Sequence, residues 1–106
     1  MRRYYVYVIE LASPGPRADL YVGSSAFPPK QRFRKHLASG PGGVKGSRHV
    51  RRRGVRLLPH LYEQKNPFAS RAAAQHAEKR LRHMLERRGH RVFGSCYRQD
   101  EDDCLL

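Results

Sequence analysis

At 106 residues, the chain has room for one domain with one modest core, and its 22 Lys and Arg against 9 Asp and Glu leave it at +13. No apolar run approaches the roughly 18 residues that cross a bilayer, and a mean hydropathy of -0.80 describes a heavily charged surface. These values exclude a membrane-spanning chain and point to a polyanionic partner. The bases are spread along the sequence rather than gathered on one amphipathic helix, which favours nucleic acid over a membrane surface.

The opening Met1-Arg2-Arg3-Tyr4 runs straight into strand-like sequence with no signal-peptide pattern, so the chain is read as cytoplasmic and soluble. In a reducing compartment Cys96 and Cys104 are expected to be free thiols. All 22 bases fall within residues 1–98, whereas four of the nine acids form Asp100-Glu101-Asp102-Asp103. Residues 1–98 are therefore read as a single domain and 99–106 as an acidic, mobile tail.

Tyr4 to Leu11 is rich in β-branched and aromatic residues with almost no polar position, which predicts a strand covered on both faces. Pro14, Gly15 and Pro16 break the chain into a loop. Asp19 to Gly23 reads as a second strand, and so short a connection implies an antiparallel hairpin that sets Tyr21 near Tyr5 and Tyr7. Ser24 to Pro29 is a turn, after which a helix is predicted from Pro29 to Ala38. Phe33 and Leu37 form its expected buried stripe, and Arg32 and His36, also four apart, lie on the adjacent face.

Gly40 to Gly54 is glycine-rich and then basic, with a short helical turn expected around Ser47 to Arg52. Val55 to Glu63 suits a third strand, with Pro59 placing it at an edge or a bulge. Asn66-Pro67-Phe68-Ala69 is a turn, Ser70 a natural N-cap, and Arg71 to Arg88 a helix ended by Gly89. Ala74, Ala77, Leu81, Met84 and Leu85 give that helix its core stripe. Val92-Phe93 is a short strand or a packed tail. The expected architecture is α/β (α+β), with a small, mainly antiparallel three-stranded central sheet flanked by helices.

A basic chain that meets nucleic acid can bind it or cut it. Cutting a phosphodiester needs an activated water, charge stabilisation at phosphorus and help for the leaving oxygen. The arginine fork suits the second requirement, and a metal on a carboxylate can meet the third. Outside the tail the carboxylates are Glu10, Asp19, Glu63, Glu78 and Glu86, too few for several to converge on a two-metal site. Glu78, at the border of the core stripe, is the best single ligand; its plain alternative is a surface pair with Arg82.

Tyr5-Val6-Tyr7, then Tyr21-Val22-Gly23, Arg32 with His36, and Glu78 on a late helix resemble the GIY-YIG endonuclease family, over about residues 4–88. The small stand-alone bacterial members are the most similar. The resemblance implies that Tyr7 contacts the attacking water as, or beside, the general base, and that Tyr21 orients water or phosphate. It implies that Gly23 lets the backbone turn close to the site, that Arg32 stabilises the phosphorane, and that His36 positions or protonates groups around it. Glu78 would hold one Mg2+ or Mn2+. A phenol with an ordinary pKa of about 10 would need nearby positive charge or a relay through His36 to act as a base. Ala73 stands where the family often carries a second acid, and both Lys45 and His49 are eligible for a further site position.

The resemblance thus implies a metal-dependent endonuclease acting on DNA, whether duplex, branched or single-stranded. The alternatives are a non-catalytic nucleic-acid-binding module of the same fold, and a role in processing RNA. Lys45, Arg48, His49, Arg51, Arg52 and Arg53 are the expected contacts to the nucleic-acid backbone, contributing affinity without reading sequence. His76, His83 and His90 share one helix side, but no cysteine or carboxylate completes a zinc site there. The acidic tail could also cover the basic cleft as a phosphate mimic.

Overall fold

The computed structural model describes residues 2–38 and 47–94, with the side chains of Ser47 and Arg48 left aside. Lys45, both cysteines and the acidic tail, with the expectations attached to them, lie outside the described residues.

Eight short elements follow in order: β1 (Tyr5–Leu11), β2 (Asp19–Ser25), α1 (Pro29–Ala38), α2 (Ser47–Arg53), β3 (Gly54–Leu57), a 3-10 turn (Pro59–Leu61), α3 (Arg71–Arg87) and β4 (Val92–Phe93). The sheet has four strands in the order β3-β1-β2-β4, not three. β1 pairs antiparallel with both β2 and β3, but β4 joins β2 in parallel, so the sheet is mixed. The extra strand is Val92-Phe93, the first of the two readings the sequence left open there; it is two residues long, pairing Leu20↔Val92 and Tyr21↔Phe93.

β1 occupies the centre, as its lack of polar positions requires. Val6, Tyr7, Val8 and Ile9 are all buried, so both faces of the pleat are covered. Asn66 serves as a side-chain substitute for a partner strand: its Oδ1 accepts from Val6 N and its Nδ2 donates to Val6 O, both at 2.8 Å. Beyond it, Tyr4 and Phe68 exchange backbone bonds of 3.0 and 2.7 Å. β3 is shorter than the sequence predicts because it gives way to the 3-10 turn beginning at Pro59, whose nitrogen cannot donate to a ladder.

α3 begins where Ser70 caps it, the hydroxyl accepting from Ala73 N at 3.1 Å, and is followed by Gly89 in the left-handed region at φ 97°. Ala74, Leu81 and Leu85 are buried, while Ala77 and Met84 pack at the margin. α1 corrects one expectation. Its fully buried residue is His36, whereas Leu37 is 42% exposed and Phe33 is half-buried.

One staple joins distant parts of the chain. Asp19, at the start of β2, is buried and accepts from Arg53 Nη1 (2.8 Å), from Arg91 Nη2 (2.8 Å) and from Arg91 Nε (3.1 Å). The Arg91 hydrogen bond outweighs the cost of burial and, with Arg53, holds the carboxyl down at about 2. Among the described residues no helix is long and apolar enough to cross a membrane.

Candidate functional site

The hairpin register sets Tyr7 opposite Gly23 and Ile9 opposite Tyr21, so both phenols rise from the same face of neighbouring strands. Their rings stack with centroids 6.3 Å apart. Gly23 is required for space. A Cβ at that position would stand 2.5 Å from the Tyr7 hydroxyl and 2.7 Å from Cζ, because the phenol lies across the glycine. The third ring comes from α1, where His36 meets Tyr21 edge-on at 5.4 Å. His36 Nε2 is 2.9 Å from the Tyr7 hydroxyl.

Protonation states follow from this packing. Burial, then the adjacent Tyr21, push the Tyr7 phenol above its ordinary value; the charge and hydrogen bond of Arg32 pull the other way, and Glu78 adds to the rise. Tyr7 therefore carries its proton at neutral pH. Burial, then the Arg32 charge, lower His36 to about 4, so its imidazole is neutral. A neutral ring has one donor and one acceptor nitrogen, so in the tautomer that leaves Nε2 bare His36 accepts the phenol's proton.

Arg32 on α1 and Glu78 on α3 both bear on the Tyr7 phenol through their charges, the first lowering its pKa and the second, more weakly, raising it. Arg32 Nε is buried and forms no hydrogen bond to any described protein atom. A buried guanidinium nitrogen in that condition lacks the acceptor that buried donors ordinarily have. Glu78 is 1% exposed. Gly94 packs beside it: a Cβ there would meet the Val22 carbonyl oxygen and come within 3.6 Å of Glu78 Oε2.

Glu78 is the one carboxylate of the cluster, so a cation held there would have a single protein ligand. Among the described residues no three His, Cys, Asp or Glu side chains converge on a common point, so there is no all-protein cage. Mg2+ commonly keeps most of its waters and takes one or two carboxylates together with substrate oxygens.

Beside Arg32 the surface opens into a cavity of about 300 Å3 lined by Arg2, Arg32, Arg71, Ser24, Ser25 and Phe27. Arg2 and Arg71 did not stand out in the sequence, where each is one arginine among many; the only local signal was the pair of small polar residues ending β2. A larger groove along α3, about 670 Å3, shares no residue with the cluster.

The structure thus puts Tyr7, Tyr21, Gly23 and His36 in contact, with the charges of Arg32 and Glu78 acting on the Tyr7 phenol. The expected nucleic-acid contacts divide. Arg51 and Arg52 are exposed on α2. Arg53 is turned inward to Asp19 and to the Ala12 carbonyl (3.0 Å), and the His49 ring packs on Phe93 at 4.5 Å. Comparison of the chain with protein-family models, with curated proteins and with solved structures gives no match.

Proposed function

We propose that the chain is a metal-dependent endonuclease that hydrolyses phosphodiester bonds of DNA at a single-metal site of the GIY-YIG kind. The carrying observation is the buried Tyr7–His36 hydrogen bond with the Arg32 guanidinium and the Glu78 carboxylate both acting on the same phenol. The basic surface supports a polyanionic substrate.

In this reading Arg32, whose Nε has no partner among the described residues, binds the scissile phosphate and balances the charge that grows on its non-bridging oxygens. The neutral His36 accepts the Tyr7 proton as the Tyr7 oxygen takes one from the attacking water. The phenol therefore relays a proton without resting as a phenolate, which its burial disfavours. The water oxygen bonds to phosphorus, the bond from phosphorus to the leaving oxygen breaks, and that oxygen departs with the electron pair. Tyr21, stacked on Tyr7 and edge-on to His36, fixes both rings. Glu78 would hold the divalent cation, which when bound supplies Lewis-acid stabilisation to the departing oxygen.

The test is incubation of plasmid, single-stranded DNA and RNA of matched length with the protein in Mg2+, Mn2+ or EDTA. Cutting that needs metal, prefers DNA and falls by roughly a hundredfold or more in Arg32→Ala and Glu78→Ala is the expected result. Binding without cutting in any metal makes the protein a binding module instead, and a preference for RNA moves the substrate.

A further inference from the structure

The cavity beside Arg32 holds more positive charge than one phosphodiester requires. Arg2 and Arg71 share its walls with Arg32, while Ser24 and Ser25 supply hydroxyls, and no carboxylate is among the lining residues. Arg71 is placed rather than loose. Its guanidinium lies 5.2 Å over the Tyr4 ring, and Tyr4 is itself pinned by its two backbone bonds to Phe68. The Ser25 hydroxyl accepts from Phe27 N at 2.9 Å, and a hydroxyl that accepts there keeps its proton to donate elsewhere. Phe27 is 37% exposed at the cavity, with Lys35 Nζ 4.6 Å from its ring centre.

The volume, about 300 Å3, is roughly ten times the share of one water and at the lower limit of small-molecule pockets. That is room for a phosphate and its sugar, and too little for a duplex. Two exposed arginines, one half-buried arginine, two hydroxyls and an aromatic surface match the chemistry of a nucleotide: forks for phosphate oxygens, and a ring for the sugar or base.

We propose that this cavity is a second phosphate subsite, in which Arg2 and Arg71 hold the phosphate of the nucleotide adjoining the bond to be cut. Arg32 forms the shared wall between the two phosphates. The subsite fixes the register of the strand, so that the scissile group arrives at Tyr7 rather than sliding past it. This inference rests on the reading of the Tyr7–Glu78 cluster as a phosphodiester site.

The test needs no catalysis. Inorganic phosphate and thymidine 5′-monophosphate are titrated into the full chain in EDTA at low salt, followed by amide NMR shifts and calorimetry. Both probes should shift Ser24 to Phe27 before they shift the exposed α2 arginines. Arg2→Ala and Arg71→Ala should each weaken both probes by roughly tenfold. Arg71→Lys, which keeps the charge but not the fork, should recover only part of the loss. Phe27→Ala should weaken the nucleotide and leave phosphate binding unchanged. Equal shifts at α2 and at Ser24 to Phe27, or wild-type affinity in both alanine variants, overturn the subsite. Binding at the cavity by a protein that cuts nothing in any metal removes the nuclease reading while leaving the phosphate pocket standing. Cutting with no probe at the cavity does the reverse.

Discussion

At the scale of single residues, the candidate site is organised by two small economies of space and charge. Gly23 leaves room for the Tyr7 ring, and His36 gives the buried hydroxyl a partner. Gly23→Ala should therefore displace the phenol rather than strain the backbone. It should destabilise the protein by about 1–3 kcal/mol in denaturant unfolding, with the Tyr7–His36 bond lost from the NMR spectrum of the folded form. Retention of that bond at wild-type stability would show that the ring has another place to go. His36 makes a second prediction. Its folded pKa of about 4 lies below the 6.5 of an unperturbed imidazole, so the unfolded chain gains a proton that the folded chain refuses. Stability should thus be intact above pH 6.5 and fall as the pH drops toward 4, by on the order of 3 kcal/mol. Denaturant midpoints across that window check it, and His36→Gln, which does not titrate, should flatten the curve.

At the scale of elements, the Asp19 staple ties the start of β2 to the end of α2 and to Arg91 before β4. Its carboxyl is held at about 2, below the ordinary 3.8, so the stabilisation is present above pH 3.8 and is lost as pH falls toward 2. Asp19→Asn should cost roughly 2 kcal/mol at pH 7, and the gap from wild type should close across that acid window. The same long-range contacts explain what the sequence disclosed and what it hid. β1, β2, α1 and α3 were legible because their patterns and caps are local: Ser70 and Gly89 bracket α3 as their chemistry requires. The burial of His36 in preference to Leu37 was not, because hydrophobicity favours the leucine and the compensating Tyr7 hydroxyl lies 29 residues away. Val92-Phe93 was legible only as a strand or a packed tail, because the choice between them depends on two pairings to β2 across most of the chain. Tyr7, Tyr21, Arg32, His36 and Glu78 were expectations of the family resemblance, whereas Arg71 reaches the cavity through a bridge between Tyr4 and Phe68 that no motif encodes.

At the scale of the whole molecule, charge sets the terms of any encounter. With +13 on 106 residues, the proposed association with DNA should weaken steeply as salt rises, because each neutralised phosphate releases counterions. Arg52, exposed on α2, is expected to contribute one such contact. Arg52→Ala should lower affinity about equally for unrelated sequences and reduce the slope of log K against log salt by about one. An unchanged slope would move the DNA path away from α2. Arg53→Ala is not an equivalent probe, since it also breaks the staple at Asp19.

The stacked tyrosines have one more consequence. The chain contains six tyrosines and no tryptophan, so its near-ultraviolet absorbance comes almost wholly from phenols. Burial, then the adjacent Tyr21, hold the Tyr7 phenol well above its ordinary value, so it resists ionisation as the pH rises. An anion seated at Arg32 weakens the one charge that draws that proton off, and so delays its loss further. The protein with an anion at Arg32 should therefore hold the Tyr7 proton more tightly than the free protein, a difference carried by phenol absorbance without a label.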